Sequence, residues 1–370
     1  MKLSLLQENL NQTLAILTKA IPTKPSLPIL SSIKLTADKA SCSACATDLY
    51  FGVNTELAAQ VETPGTVVVP GKQFKEIVSS LQAGPVMLDF ADGTLTIQSG
   101  KSKTTLQCQS ADEYPPFPEV EGTQFRISAD ALTTIDTRVS FAASTDVARP
   151  VLTSLLFQIS NASARIVATD GFRLAVLDLD QGVTSETEIQ LMLPAKAVAE
   201  VARLAVQRGV SEIVCDVSDE LKQARFTVAD VSIYVRLIDG QYPPYERIMP
   251  AEFSISASFD VEELQNHLKR AIIFARESSN IIKFLVSKES VEISANSSLV
   301  GTYQGVLEQA TVSGEAIEIA FNAKYIQEYL TAVKTSSIQM EMTESLKPVT
   351  LRCADFPGYQ YVVMPFKVSS

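Results

Sequence analysis

Thr169-Asp170-Gly171-Phe172-Arg173 brings a hydroxyl, a carboxylate, a flexible glycine, an aromatic ring and a guanidinium together inside the stretch IVATDGFRLAV. Such a set suits a catalytic loop, a hairpin turn or the floor of a binding site. As a general base, Asp170 lacks an obvious carboxylate or histidine partner nearby in sequence. The single histidine, His267, falls in the helical pattern VEELQNHLKRAIIFAR and reads as a solvated helix residue. Most Ser-His-Asp, Cys-His and His-metal arrangements are thereby removed. GTVVVPGKQ has five residues between its glycines where a phosphate-binding Walker A loop has four, and Gln73 stands where Ser or Thr would bind magnesium. Cys42 and Cys45 form one CxxC with no second copy, in an alternating strand pattern, which favours neither zinc nor a redox pair. No catalytic residue, metal or cofactor is expected.

The elements that must position the Thr169–Arg173 set belong to a chain of 370 residues, long enough for two or three domains. It is 46% hydrophobic, enough for well-formed cores, and no window has the roughly 18 unbroken apolar residues of a membrane span. The opening MKLSLLQENLNQTLAIL interrupts its apolar residues too often for a signal peptide. Five scattered cysteines suit reduced thiols, so a cytoplasmic protein without membrane partners is expected. With 31 Lys/Arg against 42 Asp/Glu the net charge is -11, which by itself disfavours tight nonspecific DNA binding.

Internal repeats decide the architecture. TVVVPGKQFKEIVSSLQ from Thr66 matches QLMLPAKAVAEVARLAVQ from Gln190 and EIAFNAKYIQEYLTAVK from Glu318. Each is a short apolar strand, then Pro or Asn, a small residue, a lysine (Lys72, Lys196, Lys324) and an amphipathic helix. ADEYPPFPEV recurs as DGQYPPYERI and more weakly as ADFPGYQYVV, and CATDLYFGV recurs as VATDGFRLAV. A third counterpart, ISANSSLVGTYQGV, carries Asn296 at the equivalent place. Each repeat is expected to open with a helix, from LLQENLNQTLAILTKA, SADALTTIDTRVSFAA and SFDVEELQNHLKRAIIFAR. Strand segments alternate, as in PVMLDFADGTLTIQSG with Asp92-Gly93 as its hairpin turn. The pattern predicts three α+β domains, 1–121, 122–250 and 251–370, with helices on one face of antiparallel sheet. The six helical segments hold 12 Lys/Arg against 9 Asp/Glu, a mildly basic face on an acidic body. Lysines at helix N-termini oppose the macrodipole, so their recurrence points to a purpose other than capping.

The threefold unit, together with SLPIL at Ser26–Leu30, RPVL at Arg149–Leu152, ATDGFRLA at Ala168–Ala175 and the terminal YVVMPFK, resembles the bacterial sliding clamps, the beta subunits of DNA polymerase III. The resemblance spans the chain. It implies a homodimer joined head-to-tail into a ring of repeated DNA-clamp domains, antiparallel sheets outside and two helices per domain lining the hole. Such a ring is no enzyme. It holds duplex DNA topologically and confers processivity on the replicative polymerase, and a weakly basic lining lets it slide without reading sequence. By position, the resemblance places Lys24, Lys72, Lys101, Lys103, Lys196 and Arg203 near DNA.

The resemblance also implies that the polymerase alpha subunit, the clamp loader, other polymerases and repair proteins dock through short peptides in a cleft. The matching positions are Leu152, Thr169, Gly171, Phe172, Arg173, Leu174, Pro243, Arg247, Ile248, Val362, Val363, Met364, Pro365, Phe366 and Lys367. Apolar walls with a few polar groups suit an extended peptide, Met364 offers an adaptable wall, and Arg173 and Arg247 are expected to hydrogen-bond it. The chain departs from the family in having Phe172 where histidine is frequent, and Phe366-Lys367-Val368-Ser369-Ser370 where Arg is frequent near the end. Ile272 and Ile273 match apolar dimer-interface positions, with Leu106 the nearest candidate on the opposite face. The alternative is a tandem-repeat scaffold that binds proteins independently of DNA. It predicts no basic enrichment of the helices. Asp170, shared with the copy at Asp48, is expected to bind backbone groups at the strand turn.

Overall fold

The computed structural model describes residues 1–367, so the expectations for Val368, Ser369 and Ser370 lie outside the described residues. It packs into two compact units, Met1–Ala129 with Arg203–Leu237, and Asp130–Ala202 with the chain from Ile238 onward.

In the first unit, a five-stranded sheet runs in the order Ala59–Thr63, Lys2–Leu6, Pro85–Ala91, Thr94–Ser99, Ser102–Gln107. Its Asp92-Gly93 hairpin turn is as expected: both residues have φ in the left-handed region, at 50° and 74°, which Asp tolerates and Gly prefers. The unit's second sheet runs Thr123–Ser128, Glu212–Ser218, Gln223–Val228, Val231–Arg236, Phe51–Glu56, Cys42–Thr47, Ser32–Ala37, Gly65–Pro70. Helices α1 (Gln7–Leu17) and α2 (Gly71–Ser80) pack on each other and bury Leu10, Leu14, Leu17, Phe74 and Val78.

The second unit repeats the plan. One sheet runs Ile189–Pro194, Ser154–Ser160, Ser163–Thr169, Arg173–Leu179, Tyr359–Val363, Val349–Arg352, Ser337–Met342, Ile255–Asp260, Thr311–Ser313. The other runs Gly301–Leu307, Val291–Ser297, Ile281–Val286, Ile317–Asn322. Helices α3 (Ala129–Arg138) and α4 (Ala195–Arg208) belong to the middle repeat, α5 (Val261–Ala275) and α6 (Ala323–Val333) to the third. The Asp260 carboxylate caps α5 by accepting from Glu263 N at 2.8 Å, and Asn322 caps α6 through Lys324 N at 3.0 Å. Tyr329 of α6 stacks on Tyr359 and Tyr361 at 5.9 and 5.1 Å between ring centroids, pinning the helix to the sheet.

One expectation is corrected. Each repeat opens with a strand, not a helix: Lys2–Leu6, Thr123–Ser128 and Ile255–Asp260 precede α1, α3 and α5. Their alternating burial has period 2, and sheet pairing claims them before the helical period begins. Each compact unit joins segments of more than one repeat. Strand 231–236 of the middle repeat pairs with Phe51–Glu56 of the first, and Arg173–Leu179 pairs with Tyr359–Val363 of the third. Ladder hydrogen bonds, not sequence neighbours, decide what is compact.

Phe284 is fully buried, with edge-on contacts to Phe259 and Phe321. Phe284→Ala is expected to destabilise the second unit by about 3–5 kcal/mol, read by urea denaturation. Burial pushes the free thiols of Cys42 and Cys45 up to about 11. Both are therefore expected to resist alkylation at pH 8 and to react only as the pH approaches 11, a profile that mass spectrometry checks residue by residue.

Candidate functional site

The Thr169–Arg173 stretch is a strand-to-strand turn held by its own side chains. Thr169 Oγ1 donates to Arg173 O at 2.6 Å and accepts from Gly171 N at 3.1 Å. Asp170 Oδ1 accepts from Phe172 N and Arg173 N at 2.9 and 3.0 Å. Gly171, at φ 95°, supplies a conformation that L side chains rarely adopt. The first-repeat copy has the same wiring: Thr47 Oγ1 donates to Phe51 O, and Asp48 Oδ1 accepts from Tyr50 N and Phe51 N. Asp170 is thus a turn carboxylate with its acceptors engaged, as expected. In the third copy, with Asn296 at the threonine place, Ser297 stands at that of the aspartate: its Oγ accepts from Leu299 N and Val300 N, two and three residues ahead, as Asp48 and Asp170 do.

The Arg173 side chain is 9% exposed and its donors are turned inward. Nε donates to Asp170 Oδ2 at 3.0 Å, Nη1 to Glu328 Oε2 and to Tyr361 OH, and Nη2 to Phe141 O at 2.7 Å. The guanidinium also lies over the rings of Tyr325 and Phe141, at 4.7 and 5.3 Å. Burial alone would lower its pKa, but Tyr361 and Glu328 outweigh that and raise it, so the group is a permanent cation. A side chain so engaged positions the turn.

Beside the turn lies an apolar floor. Leu156, Val167, Leu174, Val176, Met192, Tyr242, Tyr245 and Val362 form one buried cluster, with Val151, Ile238 and Met249 packed against it. Leu174 and Val362 are directly paired across the ladder, and Val363 is buried beside them opposite Arg173. Leu174 and Val362 belong to the floor's interior, whereas Val363 shares with Arg173 the opposite face of the sheet and Thr169 is buried in the turn. The rim is drawn from exposed Gly171, Phe172, Pro243, Arg247, Ile248 and Lys367 and half-buried Leu152, Met364, Pro365 and Phe366. Phe172, 49% exposed, stacks on Phe366 with centroids 6.4 Å apart and planes 14° from parallel. Met364 N donates to Phe172 O at 2.9 Å and Phe366 N to Ala320 O at 2.8 Å, so backbone fixes both rings. Sequence reasoning missed Phe141, Tyr325 and Glu328; no local pattern links them to a residue more than thirty positions away.

Lys24, Lys72, Lys101, Lys103, Lys196 and Arg203 are all exposed. Lys72, Lys196 and Lys324 each occupy the second position of their helix, α2, α4 and α6. Lys196 also borders an open cavity of about 470 Å³ lined by Asp136, Phe141, Val147 and Thr153. Ile273 is exposed, whereas Ile272, on the adjacent face of α5, is committed to its own core. Leu106 is half-buried on the edge strand Ser102–Gln107. His267 is not simply solvated: its Nδ1 shares a hydrogen bond with Tyr303 OH at 2.9 Å, in space that a Cβ at Gly305 would fill.

Models of the N-terminal, central and C-terminal domains of the DNA polymerase III beta subunit match residues 1–118, 126–244 and 246–367. The chain belongs to the DNA polymerase III beta subunit family. It is 32% identical to a beta sliding clamp of Synechococcus elongatus over 377 residues, covering all of both chains. To a beta sliding clamp of Staphylococcus aureus it is 30% identical over 369 residues, covering 97% of this chain and 96% of the relative. The crystal structure of the Thermotoga maritima DNA polymerase III beta subunit matches with a TM-score of 0.92 and 27% identity over the full length of both. That of Pseudomonas aeruginosa matches with 0.92 and 26%, covering 99% of this chain and 100% of its own. The fold is therefore that of three beta-subunit clamp domains built on antiparallel sheets.

Within this beta-subunit chain, Arg173→Lys keeps the charge but loses the planar fork that spans Asp170, Glu328 and Phe141. It is expected to cost about 1–3 kcal/mol of stability in urea denaturation, with faster amide exchange at Phe172 and Arg173.

Proposed function

We propose that this chain is a DNA sliding clamp: two copies close head-to-tail around duplex DNA and tether replication and repair proteins through peptides seated in the groove beside Phe172. The observation that carries this is the end-to-end match, all 370 residues, to proteins named beta sliding clamps. The three domains are read as 1–121, 122–250 and 251–370. Duplex DNA is held by enclosure, so the exposed Lys24, Lys72, Lys101, Lys103, Lys196 and Arg203 need only weak phosphate contacts, and the net charge of -11 is no obstacle. The chain carries out no chemistry of its own, and its working compartment is the cytoplasm.

Two open sheet edges support closure. Ser102–Gln107 ends one sheet and Gly301–Leu307 another, each leaving backbone groups unpaired. Leu106 lies on the first edge; Ile273, Leu299, Val300 and Val306 are exposed on or beside the second. Pairing the first edge with the second of another copy buries both apolar sets, and doing so twice closes a ring. The peptide-groove reading rests on the apolar floor and on a rim with the exposed Arg247 guanidinium. The polymerase alpha subunit, the loader and other polymerases and repair proteins are the expected ligands.

Loaded protein is expected to remain on nicked circular DNA through gel filtration and to run off once the circle is linearised; equal loss from both forms would overturn the reading. Light scattering is expected to give twice the chain mass. Truncation before Met364 is expected to abolish binding of a fluorescent clamp-binding peptide while the dimer persists, and unchanged affinity would remove the groove from the account.

A further inference from the structure

The groove of the second unit has a counterpart in the first. The two turns superpose residue for residue in their hydrogen bonding, Thr47 with Thr169 and Asp48 with Asp170. Tyr114 and Tyr242 open the two Tyr-Pro-Pro segments, and both hydroxyls donate two residues before the turn threonine, to Cys45 O and to Val167 O, each at 3.4 Å. The ladders correspond as well: Gly52 pairs with Tyr234 where Leu174 pairs with Val362.

From there the copies diverge. In the second unit, the third residue after Tyr242 is Tyr245, which turns into the core and donates to Gln158 Oε1 at 3.0 Å. In the first, the same offset from Tyr114 gives Phe117, whose ring meets Tyr234 edge-on at 4.8 Å. It lies where a Cβ on Gly52 would approach Phe117 Cε1 to 2.6 Å. Gly52 has no left-handed φ, so its lack of a side chain serves space, not backbone conformation. What remains around the ring is a pocket of about 80 Å³, lined by Thr47, Leu49, Tyr50, Pro115, Pro116, Pro118 and Gln223. Gln223 Oε1 is buried there without a hydrogen-bond partner among the described residues.

We propose that the first repeat carries a self-occupied copy of the groove, with Phe117 as its built-in ligand, and that vacating this ring opens a binding site for one aromatic ring. Gly52 admits Phe117; Leu174 keeps the corresponding space filled in the other unit. The equivalence rests on the groove reading proposed above. The pocket itself stands on the contacts of Phe117 alone. Removing a phenyl ring beside existing space leaves a cavity of the kind that holds benzene when it reaches about 150 Å³. The irregular Pro115–Pro118 segment thus shuts the first groove, leaving one open groove per chain.

Fluorobenzene titrated against the full-length dimer, followed by fluorine NMR, tests this. Phe117→Ala is expected to bind one more saturable equivalent per chain than the wild type. Adding Gly52→Leu, which rebuilds the arrangement of the second unit, is expected to abolish that equivalent. No gain in Phe117→Ala overturns the proposal, as does a gain that survives Gly52→Leu. If Phe117→Ala does not fold, Gly52→Ala provides the independent measurement: the added methyl is expected to eject the ring and speed amide exchange at Phe117 at least tenfold, and unchanged exchange likewise overturns the proposal. A wild type that fails to bind clamp-binding peptide refutes the groove reading and leaves the fluorobenzene result standing.

Discussion

A guanidinium cannot be buried without partners, because leaving a desolvated charge unpaired costs several kcal/mol. Arg173 satisfies this constraint by drawing four separate segments around itself: its own turn at Asp170, the short helix at Phe141, the strand at Tyr361 and α6 at Tyr325 and Glu328. These segments span much of the second unit's sequence, yet they meet at one side chain. Once Arg173 is fixed, Phe172 must point outward from the same turn. The exposure of the Phe172 ring is therefore a by-product of burying its neighbour.

The same economy runs through the repeats. One turn design, a threonine and an aspartate binding the backbone two to four residues ahead, serves both Asp48 and Asp170. What differs is the residue one step into the following strand, Gly52 in one and Leu174 in the other, and Gly52 leaves the room that the Phe117 ring occupies. A side chain added at that point closes space from below, and its absence lets the connecting segment close it from above. Repeats of one ancestral pattern can in this way present different surfaces without altering a single ladder register.

Much of this was legible in the sequence. The threefold period, the strand–Pro–Lys–helix unit and the Asp92-Gly93 hairpin depend on local periodicity and turn chemistry, and each appears where those forces place it. The role of Asp170 followed from comparing two copies of one motif. The misreadings share one cause. The leading strands 2–6, 123–128 and 255–260 are too short to outweigh the helices that follow until sheet partners are known. Ile272 and Ile273 are adjacent apolar residues on a helix, and only packing tells which one the core takes.

The sequence by itself determined the helices, the number of repeats and the family, because these rest on patterns a few residues long repeated three times. Only the tertiary structure decided which repeats share a sheet, how Arg173 is buried, and why Phe117 packs over Gly52 while Phe172 stays exposed. Those outcomes depend on contacts between residues as far as 190 positions apart, as in the pairing of Arg173 with Val363, and burial and ladder pairing select such contacts without leaving a mark on local order.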